Sequence, residues 1–366
     1  MPFVNGRIGI VSVLTVVAAC VAAVSARAAI FEKNGYSISG DFRARLEADF
    51  DSRQADGGER DDRTRARVRV RLGLEYAASD RFTFGLRLRS GSDSSQQSPH
   101  VTVIDFDGND TGDADFNLDR WFLKGTSGKA WGWIGRNGLP LWKQNELLWD
   151  DDVTPAGLAV GFKSDWGESG FEAAAGYFSL PAGMRAFSGQ LALAQVVYRR
   201  KPFVAAGGLL EIDADPGDPD APLLLSGNGA RDYRIWVANL QAKFGRWTLG
   251  VDAMHNSESY PAGDPLRDEV DGYVGSLAHD LGKGWRAAYF YAHIEAYAVH
   301  SSYAQDDWVR WGSATQTRGS DLKGHELRLV KDLGSGRNLV LRLYLAEAVT
   351  TVEDGKRFRI DYNYKF

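Results

Sequence analysis

The stretch RTRARVRVRLGLEY, residues 63–76, sets Arg63, Arg65, Arg67, Arg69 and Arg71 at every second position, with Ala66, Val68, Val70, Leu72, Leu74 and Tyr76 alternating against them. A β-strand sends successive side chains to opposite faces, so the segment has one cationic face and one apolar face. A helix would mix the two sets. In a soluble sandwich the arginines would point to water, and nothing would demand so long a strand. In a membrane barrel the inversion is forced, because arginine on the lipid face at mid-membrane costs about 2–4 kcal/mol. The arginines are then expected to line the lumen.

The flanking strands repeat the pattern. Tyr36, Ile38, Phe42, Ala44, Leu46, Ala48 and Phe50 alternate with Asp41, Arg43, Arg45, Glu47 and Asp49, and Phe82, Phe84, Leu86 and Leu88 alternate with Arg87 and Arg89. Side by side, these three strands predict a cationic wall of Arg43, Arg45, Arg63, Arg65, Arg67, Arg69, Arg71, Arg87 and Arg89. Like charges in cross-strand contact repel, so the wall requires water or nearby acids. A wet lumen is expected, with Asp41, Glu47 and Glu75 as partial compensation.

The same rhythm runs to the C-terminus. Further strands are expected near 115–124, 130–136, 156–164, 170–180, 187–199, 203–212, 231–244, 247–256, 270–281, 285–297, 321–333, 337–350 and 357–366, about sixteen in all. Short connections at 77–80, 125–129, 245–246, 282–284 and 334–336 alternate with long ones at 91–114, 137–155, 213–230, 257–269 and 298–320. The fold class this predicts is all-β, a transmembrane antiparallel barrel with short turns at the periplasmic end and long extracellular loops. The final residues, KRFRIDYNYKF, put Phe358, Ile360, Tyr362, Tyr364 and Phe366 on one face. A chain ending inside a strand on an aromatic residue resembles the C-terminal signal read by the outer-membrane assembly machinery, which makes Tyr362, Tyr364 and Phe366 the expected signal residues.

At the N-terminus, Arg7 precedes an apolar run from Ile8 to about Val24, followed by Ala26-Arg27-Ala28, a small-x-small cleavage pattern. Residues 1–29 are expected to be a signal peptide and residues 30–366 the barrel. A rival reading makes Cys20 a lipoprotein acylation site. After this segment no run of about 18 apolar residues occurs, so a helical membrane protein is excluded. The formal net charge of -5 gives no case for nucleic acid as a partner, and with one cysteine no intrachain disulfide can form.

One long connection, residues 137–155, carries Leu139, Leu141, Trp142, Leu147, Leu148 and Trp149, much apolar surface for a loop in water. Folding inward would bury it and narrow the lumen. Trp142, Lys143, Glu146, Trp149, Asp150, Asp151 and Asp152 are the expected constriction residues, with the acids facing the arginines. The alternative is a loop packed over the mouth or against a neighbouring subunit. At Gly135-Arg136, Pro140, Trp142, the run from Glu146 to Val153 and Gly157 the chain resembles the putative porins of Gram-negative bacteria. That resemblance implies an outer-membrane barrel passing small hydrophilic solutes by diffusion, and it carries no selectivity site with it. The expected partners are outer-membrane lipid, small polar or anionic solutes, the assembly machinery and further copies of the chain in a homotrimer. No cofactor or metal is expected.

Other chemistry was weighed against this. The six histidines contain no H-E-x-x-H pair and no serine sits in a G-x-S-x-G elbow, so a barrel-embedded hydrolase would need a set assembled across strands. GTSGK at 125–129 lacks the first glycine of a phosphate loop, since Leu123 stands there. In the acidic loop 105–115, Asp105, Asp107 and Asn109 could reach Ca²⁺, but the glycine is out of place and no glutamate closes the loop. Trp121, Trp131, Trp133, Trp247 and Trp285 lie near strand ends and are expected in interfacial girdles.

Overall fold

The computed structural model describes residues 31–366 except 34, 110, 112–113, 215–230 and 309–318. The expected signal peptide and the Cys20 alternative lie outside the described residues, as does part of two long loops. Sixteen strands form the barrel: β1 Tyr36–Arg53, β2 Arg63–Ala77, β3 Phe82–Ser90, β4 Phe116–Ser127, β5 Ala130–Arg136, β6 Ala156–Trp166, β7 Ser169–Ala182 and β8 Ala186–Arg200, then β9 Phe203–Asp213, β10 Tyr233–Phe244, β11 Trp247–Asn256, β12 Asp271–Gly282, β13 Trp285–Ile294, β14 Leu322–Gly334, β15 Arg337–Glu347 and β16 Asp354–Lys365. Each pairs antiparallel with its chain neighbour, and β16 returns to pair with β1 in the register Arg359↔Glu47 and Tyr362↔Ala44. Closure leaves no open sheet edge, which a lipid environment requires. At the seam Phe366 and Gly40 exchange both backbone hydrogen bonds at 3.0 Å.

Three short strands were not anticipated: Phe31–Lys33 and Glu59–Arg60 pair with β1, and Val101–Asp105 pairs with the upper half of β2. Some boundaries also differ. The strand expected to reach 297 ends at Ile294, because Tyr297 turns away to hydrogen-bond Asp264 at 3.0 Å and to lie under Arg231. The strand expected to reach 350 ends at Glu347, and the last strand begins three residues early at Asp354.

Turns of two residues join most strand pairs at one end, and longer loops join them at the other. At Lys283-Gly284 and Ser335-Gly336 both turn residues have positive φ, the backbone that matches hairpin twist and that glycine adopts without strain. The outer face carries the apolar half of each alternation, with Leu72 at 46% and Leu74 at 40% exposure on the strand whose arginines are buried or half-buried. So extensive an exposed apolar belt fits lipid, not water. Trp121, Trp247 and Trp285 lie on that outer face. Trp131 and Trp133 do not, which corrects their girdle assignment. Trp133 is buried, packs on Phe178 at 5.5 Å and joins the interior core, while the Trp131 ring covers Gly161.

The interior is divided into two kinds of wall. Over β7–β11 the lumen face is apolar, with Phe178, Leu191, Leu193, Leu210 and Ile235 all buried. Over β14–β16 and β1–β4 it is charged.

Candidate functional site in the barrel lumen

The apolar wall exists because a loop covers it. The third long-end loop, residues 137–155 (L3), enters the barrel, and its Leu147, Leu148, Trp149 and Val153 are buried in one cluster with the lumen faces of β7–β11. Burying each such side chain contributes roughly 1.5–3 kcal/mol. The root is fixed by Gly135, whose φ of 121° suits glycine and whose missing side chain admits the Trp121 carbonyl. Arg136 is buried beside it and donates to the Met184 and Thr154 carbonyls at 2.6 and 3.0 Å. Midway, Trp142 exchanges two hydrogen bonds with the Gln195 amide, at 2.7 and 2.9 Å. At the tip, Gln144 donates to Asp252 at 2.7 Å and Asn145 also donates to that carboxylate. L3 thus crosses the interior and is latched on the far side.

Two further loops fold in with it. In the seventh long-end loop, residues 295–321 (L7), Tyr303 stacks on Trp149 at 5.2 Å, its carbonyl accepts the Asp150 N–H at 2.7 Å, and Gln305 N–H reaches the Glu146 carbonyl at 2.9 Å. In the second, residues 91–115 (L2), Gln96 and Gln97 donate to the Ser302 and Ser301 carbonyls at 2.8 and 3.0 Å. Neither inward fold was anticipated. L7 had a signal in Ala296-Tyr297-Ala298-Val299, Tyr303 and Trp308, all buried in the same interior cluster, whereas L2 is held by side-chain amides that a single sequence does not reveal.

The arginine wall is extensively ion-paired, through Asp41 and Glu47 and through further acids that the sequence reading did not name. Arg45 is buried and binds Asp361 at 2.6 Å, and Arg342 binds the same carboxylate at 2.5 Å. Glu47, fully buried, is shared between Arg65 and Arg359, the latter at 2.5 Å, with Arg67 at 3.6 Å. Arg69 and Arg71 share Asp41 at 2.8 and 2.6 Å, Arg87 holds Asp119 at 2.5 Å, and Arg63 holds Asp105 at 2.9 Å. That last pair consumes one of the acids considered for Ca²⁺. Arg89 is fully buried under L2, donating to the Ser95, Gln96 and Asp152 carbonyls, so it does not line open space. Arg43 has no carboxylate within ion-pair distance among the described residues and donates to Asn363 at 2.6 Å. Across the β16/β1 seam the wall continues into Arg357, which binds Asp49 at 2.5 Å, and Arg359. The alternation RFRID carried that signal in the sequence.

The acids of L3 separate. Asp152 faces the wall, at 2.5 Å from Arg71 and 3.6 Å from Arg69. Burial alone would raise its pKa, but these guanidiniums hold it below the usual carboxylate range. Asp151 is exposed and meets Lys143 at 2.7 Å. Asp150 is pushed well above its ordinary value by burial and by Glu146 beside it, and Glu146 is raised by burial and by the charges of Asp151 and Asp152. In L7, burial would raise Asp307, but Arg359 and Arg45 lower it, whereas burial and the neighbouring Asp307 raise Asp306. His100, buried near Arg45 and Arg67, is driven well below its ordinary value and is neutral.

Two cavities lie in the lumen among the described residues. One, of about 280 Å³, lies between the wall and L3 and L7, lined by eight cationic and seven carboxylate side chains. The other, of about 550 Å³, lies toward the short turns. Arg71 and Lys365 line both, and Asp152, the partner of Arg71, lines the first. The histidines are scattered: His255 meets Asp271 at 2.7 Å, His279 packs on Trp247, His325 meets Tyr289 at 2.8 Å, His293 stacks on Tyr273, and His300 is buried against Tyr303. Tyr362 is buried, and Tyr364 and Phe366 are half-buried, their rings 5.8 Å apart beside Gly40.

Known proteins share this architecture. Residues 47–189 match the family described as "Putative porin". The matched span runs from β1 into β8 and includes L2 and L3. Among solved structures, the anion-selective porin of Comamonas acidovorans aligns with a TM-score of 0.58 at 15% identity, over 90% of this chain and 99% of that one. The OmpF porin of Salmonella typhi, in complex with daunomycin, aligns at 0.56 and 10% identity, over 92% and 99%. OprB of Pseudomonas putida aligns at 0.55 and 13% identity, over 91% and 94%. No curated protein sequence matches the chain. The fold is therefore the porin barrel, a transmembrane β-barrel of sixteen strands.

Proposed function

We propose that the chain is an outer-membrane porin, a passive path for small hydrophilic solutes with a preference for anions. The observation that carries this reading is a pair of cavities, both lined by Arg71 and Lys365, inside a closed barrel whose outside is apolar. A structural barrel would have no use for such space, and a sixteen-strand barrel is too wide for wall side chains to fill. The match of residues 47–189 to a porin family supports the pore over an enzyme, as do the scattered histidines.

The preference for anions follows from which charges are expressed. The loop-side cavity is nearly balanced by count, eight cationic groups against seven carboxylates. Three of those carboxylates, Glu146, Asp150 and Asp306, have raised pKa values and are the first to lose negative charge as pH falls. Arginine stays protonated throughout. Constriction charge, rather than the whole-chain total, governs selectivity, and the local excess is cationic. The similar Comamonas acidovorans protein is described as an anion-selective porin, and the parallel favours the same sign here.

Proteoliposome swelling tests the pore. Vesicles holding the refolded protein should swell in iso-osmotic arabinose and in sodium gluconate, and protein-free vesicles should not. Correctly folded barrels that leave the vesicles tight would overturn the proposal.

A further inference from the structure

Below the Arg71–Asp152 contact the lumen changes character. The cavity on the short-turn side is lined by five cationic side chains, Arg71, Arg87, Arg120, Lys124 and Lys365, against two side-chain carboxylates, Asp41 and Glu75, and the terminal residue Phe366. Asp41 is spent on Arg69 and Arg71, Arg71 also holds Asp152, and Arg87 is satisfied by Asp119. No carboxylate lies within ion-pair distance of Arg120, Lys124 or Lys365 among the described residues. Glu75 and the terminal carboxylate of Phe366, which also accepts the Gly40 N–H, remain to set against these three, so the cations stay in excess.

The local fold explains the excess. A register shift opposite Arg87/Leu88 bulges β4 and lets both Asp119, which pairs with Arg87, and Arg120 serve the lumen. Asp119 therefore cannot neutralise its neighbour. The Arg120 head lies beside the L3 root at Gly138, and its buried Nε has no hydrogen-bond partner. An unmet guanidinium donor in a site of this size invites an acceptor from solution. Lys124 is four residues along the same strand, roughly 13 Å away at the backbone, and Lys365 comes from β16. Backbones so far apart favour a ligand whose charged groups are separated over one compact anion.

We propose that this vestibule is a binding site for small dianions whose two charges are separated, such as dicarboxylates, with one group on Arg120 and the other on Lys124 or Lys365. It rests on the reading of the chain as an anion-preferring pore, to which it adds a substrate class and a station on the short-turn side of the waist. A solute held there is poised to compete with Asp152 for Arg71, which lines both cavities.

The test is calorimetric titration of the detergent-refolded, full-length protein at low salt with succinate, acetate and inorganic phosphate, together with single-channel recording of the same preparation. Succinate should bind saturably, and acetate and phosphate at least about tenfold more weakly. The pair of changes Arg120→Gln and Lys124→Gln should weaken succinate at least roughly tenfold. Lys201→Gln, at an exposed turn where Lys201 meets only Glu168, controls for bulk charge and should change nothing. Each variant is checked for the folded barrel by heat-modifiable gel migration. Equal binding of acetate and succinate, tighter binding of phosphate, or full affinity in the folded double variant would overturn the site. Channel steps without succinate binding overturn this inference and spare the pore; succinate binding without channel steps does the reverse.

Discussion

Asp152→Asn is the change through which the selectivity argument is most exposed. The carboxylate touches Arg71 at 2.5 Å and Arg69 at 3.6 Å, in the lining of the loop-side cavity. Its replacement keeps the shape of the side chain and removes one negative charge. Arg69 and Arg71 both keep Asp41, so the wall remains anchored. An ion passing about 5 Å from that position in water gains or loses about 0.8 kcal/mol. Screening at ~0.1 M salt reduces this to about 0.5 kcal/mol. The sign is opposite for anion and cation, so their ratio changes by ~1 kcal/mol, or about fivefold. The assay is the zero-current potential of single channels under a tenfold KCl gradient, wild type against variant. Asp151→Asn, which removes an exposed acid bound to Lys143, should move the potential far less. A potential that is unchanged in Asp152→Asn, or that shifts toward cations, would show that Asp152 and its arginines do not face the permeating ions.

Acidification should strengthen anion preference. Glu146, Asp150 and Asp306 have raised pKa values and take protons first as pH falls from neutral, whereas Asp152 and Asp307 stay ionised, so the loop face loses negative charge while the wall keeps its positive charge. Reversal potentials measured from pH 7.5 to 5 should drift toward the anion limit; drift toward cations would contradict the assignment. Trp149→Ala removes the buried ring that joins L3 to Tyr303, at a cost of about 3–5 kcal/mol to the loop's packing. Single-channel conductance should rise and become noisier, and an unchanged trace would mean that L3 does not limit flow. Leu74→Arg, on the exposed outer face of β2, should cost up to about 2–4 kcal/mol in urea unfolding from bilayers, according to its depth. A neutral result would remove Leu74 from the lipid face.

The barrel could be read from the sequence because its outer face obeys one simple rule. Lipid demands an apolar residue at every second position, and β2, with Val70, Leu72 and Leu74 outside and Arg67, Arg69 and Arg71 inside, states that rule without ambiguity. The strand count followed, since turns such as Gly245-Arg246 and Lys283-Gly284 break the alternation visibly. Interior partners were harder to read. Glu47 lies 18 residues from Arg65 and 312 from Arg359, and only closure of the seam brings the three together. The apolar interior wall had a signal of its own. In β8, Leu191, Leu193 and Val197 face inward while Val196 and Tyr198 face out, so the strand is apolar on both faces and announces a covered lumen. The inward fold of L3 is legible from Leu147 to Trp149, and that of L7 from Ala296 to Val299 with Tyr303 and Trp308, whereas L2 is held largely by amides that no periodicity encodes. Trp133 shows the limit of counting aromatics: its position near a strand end said nothing of which face it would take.

The most direct test of the account is planar-bilayer recording of the purified, refolded wild-type protein with KCl at different concentrations on the two sides. The account predicts discrete, stable conductance steps and a zero-current potential of the sign set by chloride. Steps with a potential of the potassium sign would contradict the arginine wall as the filter, and silence from heat-modifiable, correctly folded protein would contradict the pore itself.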